Sequence, residues 1–290
     1  MENLANIKTV RDILSRHGFT FSKSLGQNFI VNPSVCPKMA QLCGAKNGVG
    51  VIEVGPGIGV LTNELAKTAE KVVAVELDSR LPDVLEETLA DCKNVKIVSG
   101  DIMKIDIKEL IETEFSGMEV VVCANLPYYI TTPVIMRFLE ERIPVKSITV
   151  MVQKEAADRI CSPMGTRNAG AVTAAVNYYS SVQKLFTVSA GSFVPPPKVD
   201  SAVIRMDIPP VPRVRVQSEK TFFDVIKAAF AQRRKTLSNT LSAGLLPDKH
   251  TAARLLSQCG ISPSARAEQL SLEQFAQLSD AVYGRLYGKA

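Results

Sequence analysis

Between residues 49 and 152, five short apolar runs alternate with stretches of helical spacing, and this alternation limits the fold more than any other feature of the chain. The runs cover residues 49–54, 71–75, 95–98, 119–124 and 147–152; helical patterns cover 60–68, 80–90 and 133–141. Strands rich in Val and Ile that return through helices pair in parallel, so the pattern predicts a doubly wound sheet with helices on both faces. Beyond it, residues 185–188 and 201–206 flank Pro195-Pro196-Pro197. They read as an antiparallel hairpin on a sheet edge, where proline is tolerated.

The composition changes again at Pro209-Pro210-Val211-Pro212, read here as a hinge. Four helical segments follow, at 219–231, 235–243, 248–258 and 272–286. Gly244 and Gly260 stand where helices should stop, and Ser271 with Gln274 makes a capping box. The expected organisation is an α/β domain over 1–208 and a small all-α domain over 209–290. Nothing marks a membrane protein: the N-terminus lacks a continuous apolar stretch, and runs such as 120–124 fall far short of the ~20 residues of a membrane helix. Cysteines 36, 43, 92, 123, 161 and 259 form no C-x-x-C pair, which suits reduced thiols in the cytoplasm and suggests no metal site. Residues 1–50 carry 6 Lys/Arg against 2 Asp/Glu, residues 51–190 carry 14 against 19, and residues 191–290 carry 14 against 8. An acidic middle between basic ends suits a body flanked by surfaces that attract a polyanion.

The first strand runs into Glu53-Val54-Gly55-Pro56-Gly57-Ile58-Gly59. Glycines at such a turn let a ligand approach the backbone without a Cβ in the way. A loop of this kind alone serves NAD, FAD and other nucleoside cofactors. Glu76 ends the second strand 21 residues after Gly55, where a carboxylate can accept both ribose hydroxyls. Gly100-Asp101 ends the third strand and Asn125 the fourth, 25 and 24 residues further on. Four such positions at successive strand C-termini line one crevice, as ligand sites in open α/β sheets do.

Asn125-Leu126-Pro127-Tyr128 follows the fourth strand and narrows the chemistry. An adenine N6 amine is a poor nucleophile because its lone pair is delocalised into the ring. Acceptors from the Asn125 side chain and the Leu126 main chain can hold its two hydrogens and free that lone pair. Pro127 stiffens the turn, and Tyr128 can stack on the base.

With these motifs the chain resembles the KsgA/RsmA family of small-subunit ribosomal RNA adenine dimethyltransferases, which have the class I (Rossmann-like) S-adenosylmethionine methyltransferase fold. The likeness runs almost end to end. It includes Lys23-Ser24-Leu25-Gly26-Gln27-Asn28-Phe29, Met151-Val152-Gln153-Lys154-Glu155, Pro195-Pro196-Pro197-Lys198-Val199-Asp200-Ser201 and Phe230-Ala231-Gln232-Arg233-Arg234-Lys235-Thr236-Leu237. One departure is Ser22, where many relatives carry a second lysine. The resemblance implies S-adenosyl-L-methionine as cofactor, with Asn28 and Ile30 beside its methionine part, Gly55 beneath it, and Gln27 and Gly57 also binding the cofactor. It implies Glu76 on the ribose, Asp101 on the cofactor adenine, and Asn125 facing both cofactor and target. Phe193 would sandwich the target adenine opposite Tyr128. Lys23, Lys198, Arg233, Arg234 and Lys235 would contact RNA.

The implied reaction is N6,N6-dimethylation of two adjacent adenines in the 3′-terminal hairpin of 16S rRNA, on the small ribosomal subunit, by a monomer. Erm-type methylation of large-subunit rRNA and a non-catalytic role in ribosome assembly are the alternatives.

Overall fold

The computed structural model describes residues 4–18 and 27–287. The chain divides into two compact units, Met1–Ala157 with Gln183–Ile208, and Asp158–Val182 with Pro209–Ala290.

The first unit holds the expected sheet. Strands β2 (Val49–Val54), β3 (Lys71–Glu76), β4 (Val95–Ser99), β5 (Glu119–Asn125) and β6 (Ser147–Gln153) agree with the apolar runs to within a residue at each end. They are parallel neighbours in the order β4-β3-β2-β5-β6, with the first βα loop at the centre. Both faces of β2 are buried, because α2 (Val35–Leu42), α3 (Val60–Ala66), α4 (Pro82–Thr88), α5 (Ile107–Glu114) and α6 (Thr131–Glu140) connect these strands or precede them. Gly50 permits close helix–sheet packing: a Cβ there would stand 2.1 Å from the ring of the buried Phe115. The helix expected from residue 80 begins instead at Pro82, because the Asp78 carboxylate accepts the Arg80 N–H and its carbonyl accepts the Leu81 N–H. Proline fits that start, since its missing N–H would lack a helical partner anyway.

Strands β7 (Ser181–Val188) and β9 (Ser201–Asp207) complete one edge of the sheet. β9 lies between β6 and β7 and pairs antiparallel with β6, Met151 opposite Val203. Between them, β8 (Phe193–Val194) leaves the main sheet and pairs with β1 (Phe29–Ile30), Ile30 opposite Phe193. A further helix, α1 (Ile7–Arg16), buries Val10, Ile13 and Leu14 along one face, and Arg16 and His17 at its end hold Glu87.

The second unit contains α9 (Glu219–Phe230), α10 (Leu237–Gly244), α11 (Lys249–Gln258) and α12 (Leu272–Tyr287). The expected capping box is formed: Gln274 N–H donates to Ser271 Oγ at 3.2 Å, and Ser271 N–H to Gln274 Oε1 at 3.0 Å. α7 (Lys154–Ile160) leads out of β6, and α8 (Ala171–Tyr179) packs on α9. The Tyr178 and Phe222 ring centroids are 4.8 Å apart, those of Tyr179 and Phe223 5.5 Å, and Tyr179 donates to Glu219 at 2.5 Å. This aromatic cluster joins Asp158–Val182 to the C-terminal helices, although the sequence suggests a single break after residue 208. No helix among the described residues is long and apolar enough to cross a membrane.

Candidate active site

A crevice of about 1070 Å³, counting space open to solvent, lies at the C-terminal ends of β2 to β5. Gln27, Asn28, Ile30, Gly55, Gly57, Glu76, Asp101, Asn125, Leu126, Pro127, Tyr128 and Phe193 all line it. Lys23 lies outside the described residues. Lys198 is exposed between β8 and β9. Arg233, Arg234 and Lys235 are exposed in the second unit, in the turn after α9 rather than on the helix itself.

The glycine loop leaves β2 with Gly55, whose N–H donates to the Val75 carbonyl at 2.9 Å. Its φ is +69°, and a Cβ there would meet nothing within 4 Å, so the floor of the crevice is open at this point. Gly57 also has a positive φ (+61°) and approaches the Phe29 ring. Its N–H reaches Glu76 Oε2 at 3.3 Å, while Asp78 N–H donates to Oε1 at 2.8 Å. Glu76 is thus aimed by backbone donors from two loops. Burial raises its pKa above the ordinary carboxylate value, and those donors partly offset the rise. Asp101 is less buried, accepts Met103 N–H at 2.9 Å and lies 3.7 Å from Lys104. Gln27 donates to Asp78 Oδ2 at 2.8 Å, which ties the N-terminal segment to the end of β3.

On the other side, Asn125 closes β5 half-buried, and Leu126 is buried beneath the turn. The Pro127 carbonyl accepts both Ile130 N–H and Thr131 Oγ1 at 3.1 Å, which closes the turn carrying Tyr128 and Tyr129. Tyr128 is half-buried, its hydroxyl 2.7 Å from Ser201 Oγ. Phe193 is only 3% exposed, so it forms a wall of the crevice and not a free-standing ring.

The lining residues given no role from the sequence include Glu53, Leu77, Asp78 and Tyr129. Glu53 is 1% exposed, and its Oε2 has no hydrogen-bond partner although Thr62 lies beside it. Burial, with Glu76 nearby, pushes its pKa up to about 8. A carboxylate inside the apolar run Val51-Ile52-Glu53-Val54 is the signal that marks it. A buried orphan oxygen and an acidic partner at the glycine loop fit a cofactor with a cationic end and a ribose.

A family model described as ribosomal RNA adenine dimethylase matches residues 18–283. The chain belongs to that family. Proteins named ribosomal RNA small subunit methyltransferase A from Bacillus mycoides and Bacillus anthracis are each 46% identical to it over 286 residues, covering 97% of this chain and 98% of theirs. A dimethyladenosine transferase from Plasmodium falciparum matches in structure with a TM-score of 0.71 at 25% identity, over 86% of this chain and 95% of that one. The 23S rRNA methyltransferase ErmE shares the fold, with a TM-score of 0.66 at 22% identity over 88% and 99% of the two chains. The family resemblance and class I fold read from the motifs are borne out. This family member is an S-adenosylmethionine-dependent rRNA adenine dimethyltransferase.

Proposed function

We propose that this dimethylase converts two adjacent adenines in the 3′-terminal hairpin of 16S rRNA to N6,N6-dimethyladenosine, during cytoplasmic small-subunit biogenesis and as a monomer. The observation that carries the reading is that Asn125-Leu126-Pro127-Tyr128 and Glu76 line one crevice. The extensive likeness to small-subunit methyltransferases favours this target over large-subunit rRNA.

Glu76 holds the ribose hydroxyls, Asp101 the cofactor adenine, and Gln27, Asn28, Ile30, Gly55 and Gly57 surround the methionine end. When bound, S-adenosylmethionine supplies an electrophilic methyl on a sulfonium. Asn125 and the Leu126 carbonyl accept the two N6 hydrogens of the target and turn its lone pair into the crevice. Tyr128 stacks on the base, and Phe193 closes the wall behind it. The methylated ammonium formed at N6 is acidic enough to lose its proton to water, so no strong base is required. Catalysis by this chain is orientation and electrostatics. Lys23, Lys198, Arg233, Arg234 and Lys235 bind RNA phosphates, which position the substrate without reading its sequence.

Primer extension on 16S rRNA from a strain lacking this protein tests the reading, because dimethylated adenine stops reverse transcription. Read-through in the 3′-terminal hairpin is expected, and a stop that persists there removes this target.

A further inference from the structure

Among the described residues, Leu77 and Tyr129 are the two exposed large apolar side chains that border the crevice, at 52% and 56% exposure. They stand at different strand ends. Leu77 follows Glu76 and belongs to the side assigned to the cofactor ribose. Tyr129 follows Tyr128 and belongs to the side assigned to the target base. The Pro127–Ile130 turn separates the two consecutive tyrosines: Tyr128 is turned inward and tethered to Ser201, whereas the Tyr129 ring faces solvent.

Extruding an adenine from an RNA strand breaks its stacking on both neighbours, and each neighbour then presents an open π-face. An aromatic ring one residue beyond the base-facing tyrosine is placed to meet such a face. We propose that Tyr129 is a stacking platform for a nucleotide flanking the target adenine, a positioning residue that sets affinity for the RNA and not for the cofactor. This rests on the functional reading given above. Stacking on an aromatic tolerates any base, so Tyr129 holds the strand in place while the Asn125 turn selects the amine.

The test uses the full-length protein and small subunits purified from a strain lacking it, with labelled S-adenosylmethionine. Y129A is expected to raise KM for the subunit about 5-fold or more, the lower end of base stacking, with kcat changed less than KM. Y129F should restore wild-type KM, because the ring and not the hydroxyl makes the contact. Cofactor affinity by calorimetry should stay within about two-fold in both variants, which also shows that they fold. An unchanged KM in Y129A, equal defects in Y129A and Y129F, or loss of cofactor affinity would each overturn the platform. Wild-type protein that does not label these subunits would instead overturn the functional reading, and this inference with it.

Discussion

The Tyr128 hydroxyl lies 2.7 Å from the Ser201 hydroxyl, so the tyrosine three residues after Asn125 is anchored to the first residue of β9. Burial raises the phenol's pKa and the Ser201 contact opposes the rise, so Tyr128 remains a neutral ring. Removing the ring with Tyr128→Ala should lower turnover by the equivalent of ~1–3 kcal/mol of stacking, with cofactor affinity near normal. Tyr128→Phe removes only the tether and should cost about 1 kcal/mol or less. Turnover by both variants on small subunits, alongside calorimetry, checks this; wild-type turnover by Tyr128→Ala would take the residue out of the base site.

Glu76 is held by two backbone donors and faces the crevice, and its loss should be felt in cofactor binding. Deleting a buried charged acceptor typically costs ~1.5–3 kcal/mol, or roughly a 10- to 150-fold loss of affinity. Calorimetry of Glu76→Ala with S-adenosylmethionine measures it, and unchanged affinity would leave the ribose without its acceptor.

Glu53 should make both stability and cofactor binding depend on pH. Its folded pKa, about 8, lies above the ordinary 4.5 of an unfolded chain. The stabilisation associated with its proton is therefore complete below about pH 4.5 and is lost as pH rises through about 8. Glu53→Gln stays neutral throughout, so its melting temperature should gain on wild type between pH 5 and 9. The gain is at most on the order of a few kcal/mol. A cationic ligand favours the ionised form, so cofactor binding near pH 7 should release a proton in wild type and not in the variant. Calorimetry in buffers of different ionisation enthalpy reads that proton; equal release by both proteins would assign it to another group.

Arg233, Arg234 and Lys235 are exposed between α9 and α10, and Arg233 also donates to the Arg167 carbonyl at 2.7 Å. If the three contact phosphates, replacing them by Gln should weaken subunit binding and flatten its dependence on log salt. The slope should fall by up to ~2–3, at about 0.7–0.9 per phosphate contact. Filter binding across a salt series separates this from a solvated turn, for which neither affinity nor slope would move.

Gly50 is the position where a single methyl group should damage the fold. A Cβ there overlaps the fully buried Phe115 ring at 2.1 Å, closer than any side chain tolerates without movement. Gly50→Ala should lose ~1–3 kcal/mol through overpacking, read as a lower melting temperature. If stability is retained, the end of α5 is far looser than its burial indicates.

The sheet and the helices after residue 218 were legible from local pattern, because apolar period and length and glycine stops are properties of neighbours in sequence. The expected strand ends also placed Gly55, Glu76, Asp101 and Asn125 around one crevice, since parallel strands present their C-termini together. Other features depend on partners far apart in the chain. Ile30 meets Phe193 through the β1–β8 pair, which buries the ring that the resemblance sets against the target adenine. Residues 158–182 join the C-terminal helices through the rings of Tyr178, Tyr179, Phe222 and Phe223, which no local period announces. Glu53 stands out in sequence only as a carboxylate inside an apolar run, and its raised pKa follows from the burial that removes water from it. Sequence thus determined the five parallel strands, the helices after residue 218 and the motifs at the strand ends, because those signals act over a few residues. Tertiary structure alone decided what each side chain loses to solvent and gains from distant neighbours, because burial is set by contacts that the order of residues does not spell out.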